Sequence, residues 1–535
     1  MSSTRFFLLR RPIVLLGVLL VLARAEAAPA SNPPAGNPFE RSATPRPRGR
    51  IDEAVFARLQ QLGIEPAHVC SDAVFVHRVF LDAIGTMPTA AEARQFLQDK
   101  APDKRAALID RLLARDEFAD YWAMKWSDLL RVKAEFPVNL WPNAAQAYHH
   151  WIHTAVRDNL PYDQFARTLL TANGSNFRVG PVNFYRAVQN KEPTTIARMV
   201  ALTFMGERAE KWPAEQLAGL GAFFSQLSFK ATGEWKEEIV FFDPNKALTA
   251  RSPAAVFPDG RPAKLTPERD PREVFADWLV DPKNAGFARA MTNRVWSWLL
   301  GRGIIHEPDD IRPDNPPANP ELLAILTEDF VAARFDVKQL MREILNSTTY
   351  QLSSLARSDR PEAEANFAFY APRRLDAEVL IDALNEITGT TEKYSSAIPE
   401  PFTFVPDDQH ATALPDGSIT SAFLETFGRP SRDTGLEGER NNRITATQRL
   451  TLLNSTQIQR KLEQGPKLQA LLRAPRTAPG EIVDSLYFTI LSRPPTSEER
   501  STVAAYVQKA GQDRRAAAID LAWALINSAE FLYRH

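Results

Sequence analysis

Apolar residues recur every three to four positions along most of the chain, which is the spacing of one face of an α-helix. A first such face carries Val55, Leu59 and Leu62. The same spacing predicts helices at about 143–159, 161–171, 194–206, 213–226, 374–388, 444–462, 480–491, 497–510 and 514–530. The fold is therefore predicted to be mainly α, with several helices in each domain.

The helical period is interrupted twice. Around 235–270 the chain passes from the apolar run Glu237–Asp243 into a Pro- and Gly-rich segment, which predicts a small extended or β insert. Residues 390–440 are rich in Pro, Gly, Thr and Asp and show little periodicity, which predicts a long loop. The predicted organisation is a helical domain at 50–232, an extended linker or small β insert at 233–270, and a second helical domain at 271–535.

Two stretches near opposite ends of the chain read alike. Residues 88–118 and 495–531 both begin Pro-Thr-x-x-Glu, and the octets Asp103–Asp110 and Asp513–Asp520 are identical at six positions. Thr89-Ala-Ala-Glu92 has the form of a capping box, in which two side chains bond reciprocal backbone N–H groups. We infer two copies of one helical hairpin. The alternative is coincidence between two Ala-rich amphipathic helices.

The N-terminal residues have the features of an export signal. Three early arginines precede an apolar run of 11 residues, Ile13–Ala23, which is shorter than the ~20 residues of a membrane-spanning helix. Ala25-Glu-Ala27 supplies the small-x-small pattern of a cleavage site. We predict a cleaved signal peptide at 1–27, with a retained anchor as the alternative, and a disordered Pro-rich leader at 28–49. The mature protein is predicted to be periplasmic or secreted, without a transmembrane segment.

Composition excludes several classes of protein. Among 535 residues, 64 Lys and Arg stand against 65 Asp and Glu, so a strongly basic nucleic-acid-binding protein is excluded. The single cysteine, Cys70, excludes an intramolecular disulfide, a Cys-based zinc cluster and an iron–sulfur site. The sequence contains no Gly-x-Ser-x-Gly nucleophile elbow, no phosphate-binding loop and no dinucleotide fingerprint. We predict that Cys70 is a small core residue.

Histidines are densest at His149, His150 and His153. His149 and His153 are four residues apart, so on a helix they share a face and could both bind a metal ion. No third ligand is evident in the sequence. The alternative is an amphipathic helix with polar histidines beside Trp151, and we predict no metal site.

The loop at 301–319 concentrates polar groups that could do chemistry. His306, Asp309 and Asp310 lie in it, and Arg294 precedes it on a helix. Two neighbouring carboxylates can act as general acid and base, because their charges push their pKa values apart. The alternative is structural, with Arg294 or Arg302 pairing with the two aspartates to hold the loop in place.

Charged residues also occur inside apolar helical patterns. Arg78 and Asp82 are four residues apart, and Lys125 and Asp128 are three apart. Charges on buried faces are normally paired, so we expect an internal ion-pair network. The aromatic stripe Phe118, Trp122 and Trp126 is expected to be core.

Several motifs follow one another in a characteristic order. They are Phe75-Val-His-Arg-Val-Phe-Leu-Asp-Ala-Ile-Gly-Thr-Met-Pro-Thr89, Trp126-Ser-Asp-Leu-Leu-Arg131, Asn159-Leu-Pro-Tyr-Asp-Gln-Phe165, Ala276-Asp-Trp-Leu-Val280, Asn293-Arg-Val-Trp296, Gly301-Arg-Gly-Ile-Ile305, Asn319-Pro-Glu-Leu-Leu323, Arg373-Arg-Leu-Asp-Ala-Glu-Val379, Leu452-Leu-Asn-Ser455 and Asn527-Ser-Ala-Glu-Phe531. With these motifs the chain resembles the planctomycete-type cytochrome-c-associated domain pair, a two-domain family of exported bacterial proteins without an established activity. The resemblance covers roughly residues 50–535 and implies that 50–232 and 271–535 are its two domains.

The resemblance also implies a Cys-x-x-Cys-His motif, through which members of the family could bind haem covalently. At the matching place this chain reads Thr203-Phe-Met-Gly-Glu-Arg-Ala-Glu-Lys-Trp-Pro213, with no cysteine and no histidine. Covalent attachment of haem requires the two thiols. Electron transfer by haem is therefore disfavoured, and we predict no cofactor.

Two functional hypotheses remain. The first is an exported envelope protein that binds a co-exported protein partner, as the family setting suggests. The second is a periplasmic carboxylate-dependent hydrolase, acting on polysaccharide through Arg294, His306, Asp309 and Asp310. The sequence leaves open whether the protein is an enzyme, and it predicts no nucleic-acid partner.

Overall fold

A computed structural model describes residues 37–246, 253–473, 478–510 and 513–535. The predicted signal peptide and the first part of the predicted leader, up to residue 36, lie outside these residues. Residues 38–535 belong to one compact unit. Both predicted helical domains therefore lie within this one compact unit.

Helices make up most of the described structure, which confirms the prediction of a mainly α fold. Those of the first half are α1 (Arg50–Leu62), α2 (Asp72–Ala83), α3 (Ala90–Gln98), α4 (Lys104–Leu113), α5 (Asp116–Leu129), α6 (Pro142–Arg157), α7 (Tyr162–Thr171), α8 (Pro193–Val200) and α9 (Ala214–Gly221). Those that follow are α10 (Pro271–Leu279), α11 (Ala285–Leu300), α12 (Pro320–Ala332), α13 (Val337–Asn346), α14 (Glu362–Ala365), α15 (Ala377–Thr388) and α16 (Ala422–Thr426). The last are α17 (Ala446–Asn454), α18 (Thr456–Gln464), α19 (Pro466–Arg473), α20 (Pro479–Leu491), α21 (Ser497–Ala510), α22 (Arg514–Ile526) and α23 (Ala529–Leu532). None of the described helices has the length and apolar character of a membrane span.

Local capping chemistry decides where several helices begin. The helix predicted at 444–462 is divided into α17 and α18 at Ser455, whose Oγ accepts a hydrogen bond of 3.2 Å from the backbone N–H of Gln457. A serine side chain that satisfies an otherwise unpaired N–H favours a helix start at that point. The spacing of the apolar residues is helical on both sides of Ser455, so it does not predict the break between α17 and α18.

The repeated motif forms two consecutive helices in each of its copies. The pair α3 and α4 follows α2, and the pair α21 and α22 follows α20. Thr89 and Glu92 form the capping box that the sequence predicts. Thr496 and Glu499 form the equivalent pair of hydrogen bonds, of 2.7 and 3.2 Å.

Two small antiparallel sheets interrupt the helices. The first has the strand order β1 (Gly174–Ser175), β3 (Glu238–Phe242), β2 (Leu227–Ala231). The extended insert was expected from about residue 233, but its hairpin begins at Leu227, where alternating residues already favour a strand. The second sheet pairs β4 (Arg373–Arg374) with β5 (Tyr533–Arg534), with Arg373 opposite Arg534.

The aromatic stripe of α5 lies in the core, as expected. Phe118, Trp122 and Trp126 are buried, and the ring of Trp122 lies 5.1 Å from that of Trp298 on α11. Every residue of α5 from Tyr121 to Leu129 is buried. A helix that is buried on all sides needs partners for its charged residues, here Lys125 and Asp128.

The described part of the leader predicted to be disordered, and the predicted loop 390–440, both lie against the body. In the predicted leader, the backbone N–H of Arg41 donates to the carbonyl of Val69 at 2.8 Å, and Pro45 is buried. In the loop 390–440, an oxygen of Asp416 accepts from the backbone N–H of Ala134 at 2.9 Å. Neither segment has helical periodicity, and hydrogen bonds to distant parts of the chain hold each of them in place.

Candidate functional site

A polar cleft of about 1030 Å³ opens beside α5 and the C-terminal end of α11. Its remaining walls come from β4, β5 and the segment 437–444. Charged and amide side chains line it: Lys125, His306, Glu307, Arg373, Arg374, Asp376, Glu437, Glu439, Arg440, Asn441, Asn442, Arg443 and Arg534. The cleft is large enough for a small ligand or for a short segment of a polymer.

Asp376 is the anion at the centre of this wall. Its carboxylate accepts hydrogen bonds from Tyr121 Oη at 3.1 Å, Asn442 Nδ2 at 2.9 Å and Arg534 Nη2 at 3.0 Å. The Nζ of Lys125 lies 3.1 Å from Asp376 Oδ2. Burial alone would raise the pKa of Asp376, but Lys125 and Arg534 outweigh it and hold the pKa well below its ordinary value. Asp376 is therefore a carboxylate at neutral pH.

Arg440 joins this centre to a second group of buried charges. Its guanidinium lies 2.6 Å from Asp128 Oδ2 and 2.6 Å from Glu378 Oε2. Asp128 also pairs with Arg432 at 2.9 Å, and Glu378 with Arg429 at 3.4 Å. These bonds join α5 to α15 and to the end of the loop 390–440.

Asp82 on α2 anchors a third group. It accepts hydrogen bonds from the hydroxyls of Tyr350 at 2.9 Å and Tyr370 at 2.8 Å. Arg373 Nη2 lies 2.7 Å from its Oδ1, and Arg534 Nε lies 3.6 Å from the same atom. Since Arg534 also contacts Asp376, the ion pairs form one continuous network along the cleft.

Cations outnumber carboxylates in this network. Its ion pairs join Lys125, Arg373, Arg429, Arg432, Arg440 and Arg534 to Asp82, Asp128, Asp376 and Glu378. Arg374 lies on the same wall, and its Nε and Nη1 have no hydrogen-bond partner in the described part of the chain. Burial lowers the pKa of Lys125, against the attraction of Asp376. The cleft wall itself carries six cations and four carboxylates, which are Lys125, Arg373, Arg374, Arg440, Arg443 and Arg534 against Glu307, Asp376, Glu437 and Glu439. This surplus of positive charge favours an anionic group in the cleft.

Glu437 adds a carboxyl group of a different kind. Burial raises its pKa, while Lys125 opposes the shift. Its Oε2 accepts a hydrogen bond of 2.9 Å from Trp298 Nε1, and its backbone N–H donates to Asp309 Oδ2 at 2.5 Å. A carboxyl with a raised pKa beside a lysine with a lowered pKa is an arrangement that can exchange protons with a ligand.

The structure places two of the residues predicted from the loop 301–319 in the interior. Arg294 and Asp309 are buried and form an ion pair of 3.1 Å. Arg294 also donates to the carbonyls of Thr203 at 2.8 Å and Leu202 at 3.2 Å. Neither side chain lines the cleft. Asp309 contributes to it by holding the backbone of Glu437.

The other two residues predicted from this loop, His306 and Asp310, have different surroundings. Asp310 pairs with Arg312 at 3.0 Å and Lys211 at 3.4 Å. Burial would raise the pKa of Asp310, but these two cations lower it. His306 lines the cleft, and burial together with Arg302 lowers its pKa. Of the four residues predicted from sequence, His306 is the one on the cleft wall.

The histidines of α6 lie away from this wall. The rings of His149 and His153 are 6.3 Å apart. Burial lowers the pKa of His149 to about 3, and His153 Nε2 lies 3.0 Å from Asp120 Oδ1. Among the described residues, no group of three or more His, Cys, Asp or Glu side chains is arranged to hold a metal ion. Cys70 is buried, with its Sγ 3.8 Å from Arg105 Nη1.

The structure contains internal ion pairs, as the sequence predicts, but they join residues that are distant in the chain. Arg78 donates to the carbonyls of Tyr350 and Leu352 at 2.7 and 2.9 Å, and Asp82 pairs with Arg373. The available signal in the sequence was the presence of Lys125 and Asp128 among the apolar and aromatic residues of 121–129. That signal indicates that the two charges are buried, but it does not indicate which distant residues form ion pairs with them.

Two family models match the chain. Residues 50–218 match PSCyt2, described as a protein of unknown function (DUF1549), and residues 271–507 match PSD1, described as a protein of unknown function (DUF1553). No curated protein and no solved structure matches it. The cleft takes Lys125 from the first matched region and Asp376, Glu437 and Arg440 from the second. The chain belongs to the family of planctomycete-type cytochrome-associated proteins that carry this pair of domains of unknown function.

Proposed function

We propose that the protein is an exported binding protein whose cleft receives an acidic segment of a co-exported protein partner. The observation that carries the proposal is the surplus of cations over carboxylates among the residues that line the cleft. Arg373, Arg374 and Arg440 are held in place by other parts of the fold, so they need little reorganisation on binding. Preorganised cations favour a carboxylate-rich ligand over a neutral one.

Export is supported by the N-terminal pattern of arginines, an 11-residue apolar run and Ala25-Glu-Ala27. The proposal places the protein in the periplasm or outside the cell, where its partner would meet it. It requires no cofactor, in keeping with the absence of the Cys-x-x-Cys-His motif from the sequence at 203–213.

A charge reversal at the cleft rim tests this function. Arg443 is exposed and lines the cleft, so Arg443→Glu should leave folding intact. Arg449 is exposed on the following helix and is absent from the cleft lining, so Arg449→Glu is the matched control. We expect a fluorescent deca-glutamate peptide to bind the wild type and R449E alike, and R443E at least tenfold more weakly. Equal binding to all three proteins, or no binding to the wild type, would contradict the proposal.

A second candidate is a hydrolase that acts on polysaccharide. Glu437 favours it, because a carboxyl with a raised pKa on a cleft wall can donate a proton to a leaving group. In this version the acid is Glu437, in place of Asp309 or Asp310. Release of reducing ends from polysaccharide by the wild type, and its loss in E437Q, would support it. Equal release by both proteins would exclude Glu437 as the acid.

A further inference from the structure

Three aromatic rings meet on the surface away from the residues that line the cleft. The ring of Trp141 lies 4.6 Å from that of Trp235 and 5.3 Å from that of Phe402, and Trp235 lies 6.2 Å from Phe402. All three pairs are edge-to-face. We call these three residues the aromatic platform.

The platform is built from three separate parts of the fold. Trp235 lies in the turn between β2 and β3, Trp141 immediately precedes α6, and Phe402 belongs to the loop 390–440. Trp141 has a φ of 74°, which costs a non-glycine residue on the order of 1–3 kcal/mol. The surrounding structure sustains this conformation, in part through the hydrogen bond of 3.1 Å from the backbone N–H of Trp141 to the carbonyl of Ala134.

The aromatic platform is exposed to solvent, although large apolar side chains are normally buried. Trp235 is 64% exposed and Phe402 is 44% exposed. The Nζ of Lys236 lies 5.5 Å from the centre of the Trp235 ring and 5.7 Å from that of Trp141. The surface therefore combines apolar ring faces with an adjacent hydrogen-bond donor.

Its size favours a small occupant. A buried aromatic side chain covers about 150–250 Å², so the exposed parts of Trp235 and Phe402 amount to roughly 160–270 Å². A stable protein interface needs about 800 Å² on each partner. The platform is too small to form the core of such an interface. It matches the face of one or two sugar rings, whose axial C–H groups pack on aromatic rings while their hydroxyl groups bond polar neighbours.

We propose that the aromatic platform binds sugar rings of a glycan chain, with Lys236 donating to their oxygens. The proposal is independent of the cleft, since Trp141, Trp235 and Phe402 are absent from the cleft lining. The platform would be a second binding surface, separate from the cleft that receives the proposed protein partner.

Electrophoresis of the full chain in gels containing dextran, xylan, laminarin or hydroxyethylcellulose tests it. Trp235→Ala removes the most exposed platform ring, and Leu450→Ala removes an exposed apolar side chain (59% exposed) from α17 as the matched control. We expect at least one polysaccharide to retard the wild type and L450A equally. The apparent dissociation constant of W235A should be at least tenfold higher.

A second variant separates a lost contact from altered folding. Trp235→Phe keeps an aromatic ring, so W235F should retain most of the retardation, whereas the change in tryptophan emission on binding should decrease. R443E should be retarded like the wild type, so a failure of the cleft proposal leaves this test intact. Retardation of W235A equal to the wild type, or no retardation by any of the four polysaccharides, would overturn the proposal.

Discussion

The Nζ of Lys125 on α5 lies 3.1 Å from Oδ2 of Asp376, the residue that precedes α15. The two residues come from the two different matched regions, and both are buried. Removing one partner from a buried ion pair is strongly destabilising when it leaves the other charge alone. Here Asp376 also contacts Arg534 at 3.0 Å, so Asp376 is not left unpaired when Lys125 changes. Lys125 can therefore be altered to probe the charge of the cleft.

Replacing Lys125 should change how the binding of an acidic ligand depends on pH. Because burial lowers the pKa of Lys125, its amine loses its charge at a pH below the ordinary 10.5. As the pH rises and Lys125 loses its charge, the affinity of the wild type for deca-glutamate should fall. Lys125→Arg should keep its affinity, because arginine stays charged. Titrations with the labelled peptide between pH 7 and pH 10 would measure this. Parallel pH profiles for the two proteins would argue against a role of Lys125 in binding.

Glu437→Gln should remove a pH dependence of stability. The pKa of Glu437 is raised in the folded state, so between 4.5 and that pKa the folded state binds more protons than the unfolded state. The free energy of unfolding therefore falls as pH rises through this range, by about 1.4 kcal/mol per pH unit. Urea denaturation at pH 4.5 and pH 7.5 should show a smaller fall for E437Q. An unchanged difference between the two pH values would refute the assignment.

The two neighbouring aspartates of the loop 301–319 should respond differently to the same change. Asp309→Asn leaves the buried guanidinium of Arg294 without its carboxylate, which should lower the free energy of unfolding by about 3 kcal/mol. Asp310→Asn removes ion pairs to the exposed side chains of Arg312 and Lys211, with an effect below about 1 kcal/mol. Thermal denaturation of both variants compares them directly. Similar losses would mean that Asp309 and Arg294 are not a buried pair.

His77 should make the protein sensitive to acid. Its ring is buried, with Nδ1 3.0 Å from Ser492 Oγ, and burial lowers its pKa to about 3. Between pH 6.5 and 3 the unfolded state takes up a proton that the folded state does not, so stability falls as pH falls, by about 1.4 kcal/mol per pH unit. His77→Asn, which does not titrate in this range, should flatten that part of the stability profile. A profile identical to that of the wild type would show that His77 does not limit acid stability.

Gly85 packs against Tyr121 with no room for an added methyl group. Its φ is 64°, and a Cβ there would lie 2.3 Å from Cδ2 of Tyr121, whose hydroxyl donates to Asp376. Gly85→Ala should lower the free energy of unfolding by about 2–3 kcal/mol through backbone strain and overpacking. Gly260 also has a positive φ, 85°, but open space around it, so Gly260→Ala should cost only about 1 kcal/mol. Equal losses in the two variants would exclude the contact with Tyr121 as the cause.

Much of the local structure followed from patterns that extend over a few residues. The aromatic stripe of α5 predicted a core position, and Thr89 with Glu92 predicted a helix start that the structure contains. The ordered motifs indicated the family, which the two family models confirm. The division of the predicted helix at Ser455 escaped the periodicity, because a single capping side chain determined it.

The candidate site was less accessible to the same reasoning. The sequence indicated His306 and the carboxylates beside it, but Asp309 is buried against Arg294 and Asp310 pairs at the surface. Arg373, Asp376 and Glu378 were visible as part of a family motif. Nothing in that motif indicated that Arg373 and Asp376 line a cleft or that Glu378 pairs with Arg440. Asp376 and Glu378 form ion pairs with Lys125, Arg440 and Arg534. These cations are distant from the two carboxylates in sequence, so no local pattern predicts the pairing.

The sequence by itself determined the mainly α fold, the repeated Pro-Thr-x-x-Glu helix start and the family. Hydrophobic periodicity and capping act between residues close together in the chain, and the family motifs can be read in order along it. The tertiary structure alone decided which buried charges meet and where positive charge is left over. Coulomb interactions and burial depend on distances in space, and α5, β4, β5 and the segment 437–444 approach one another only when the chain is folded.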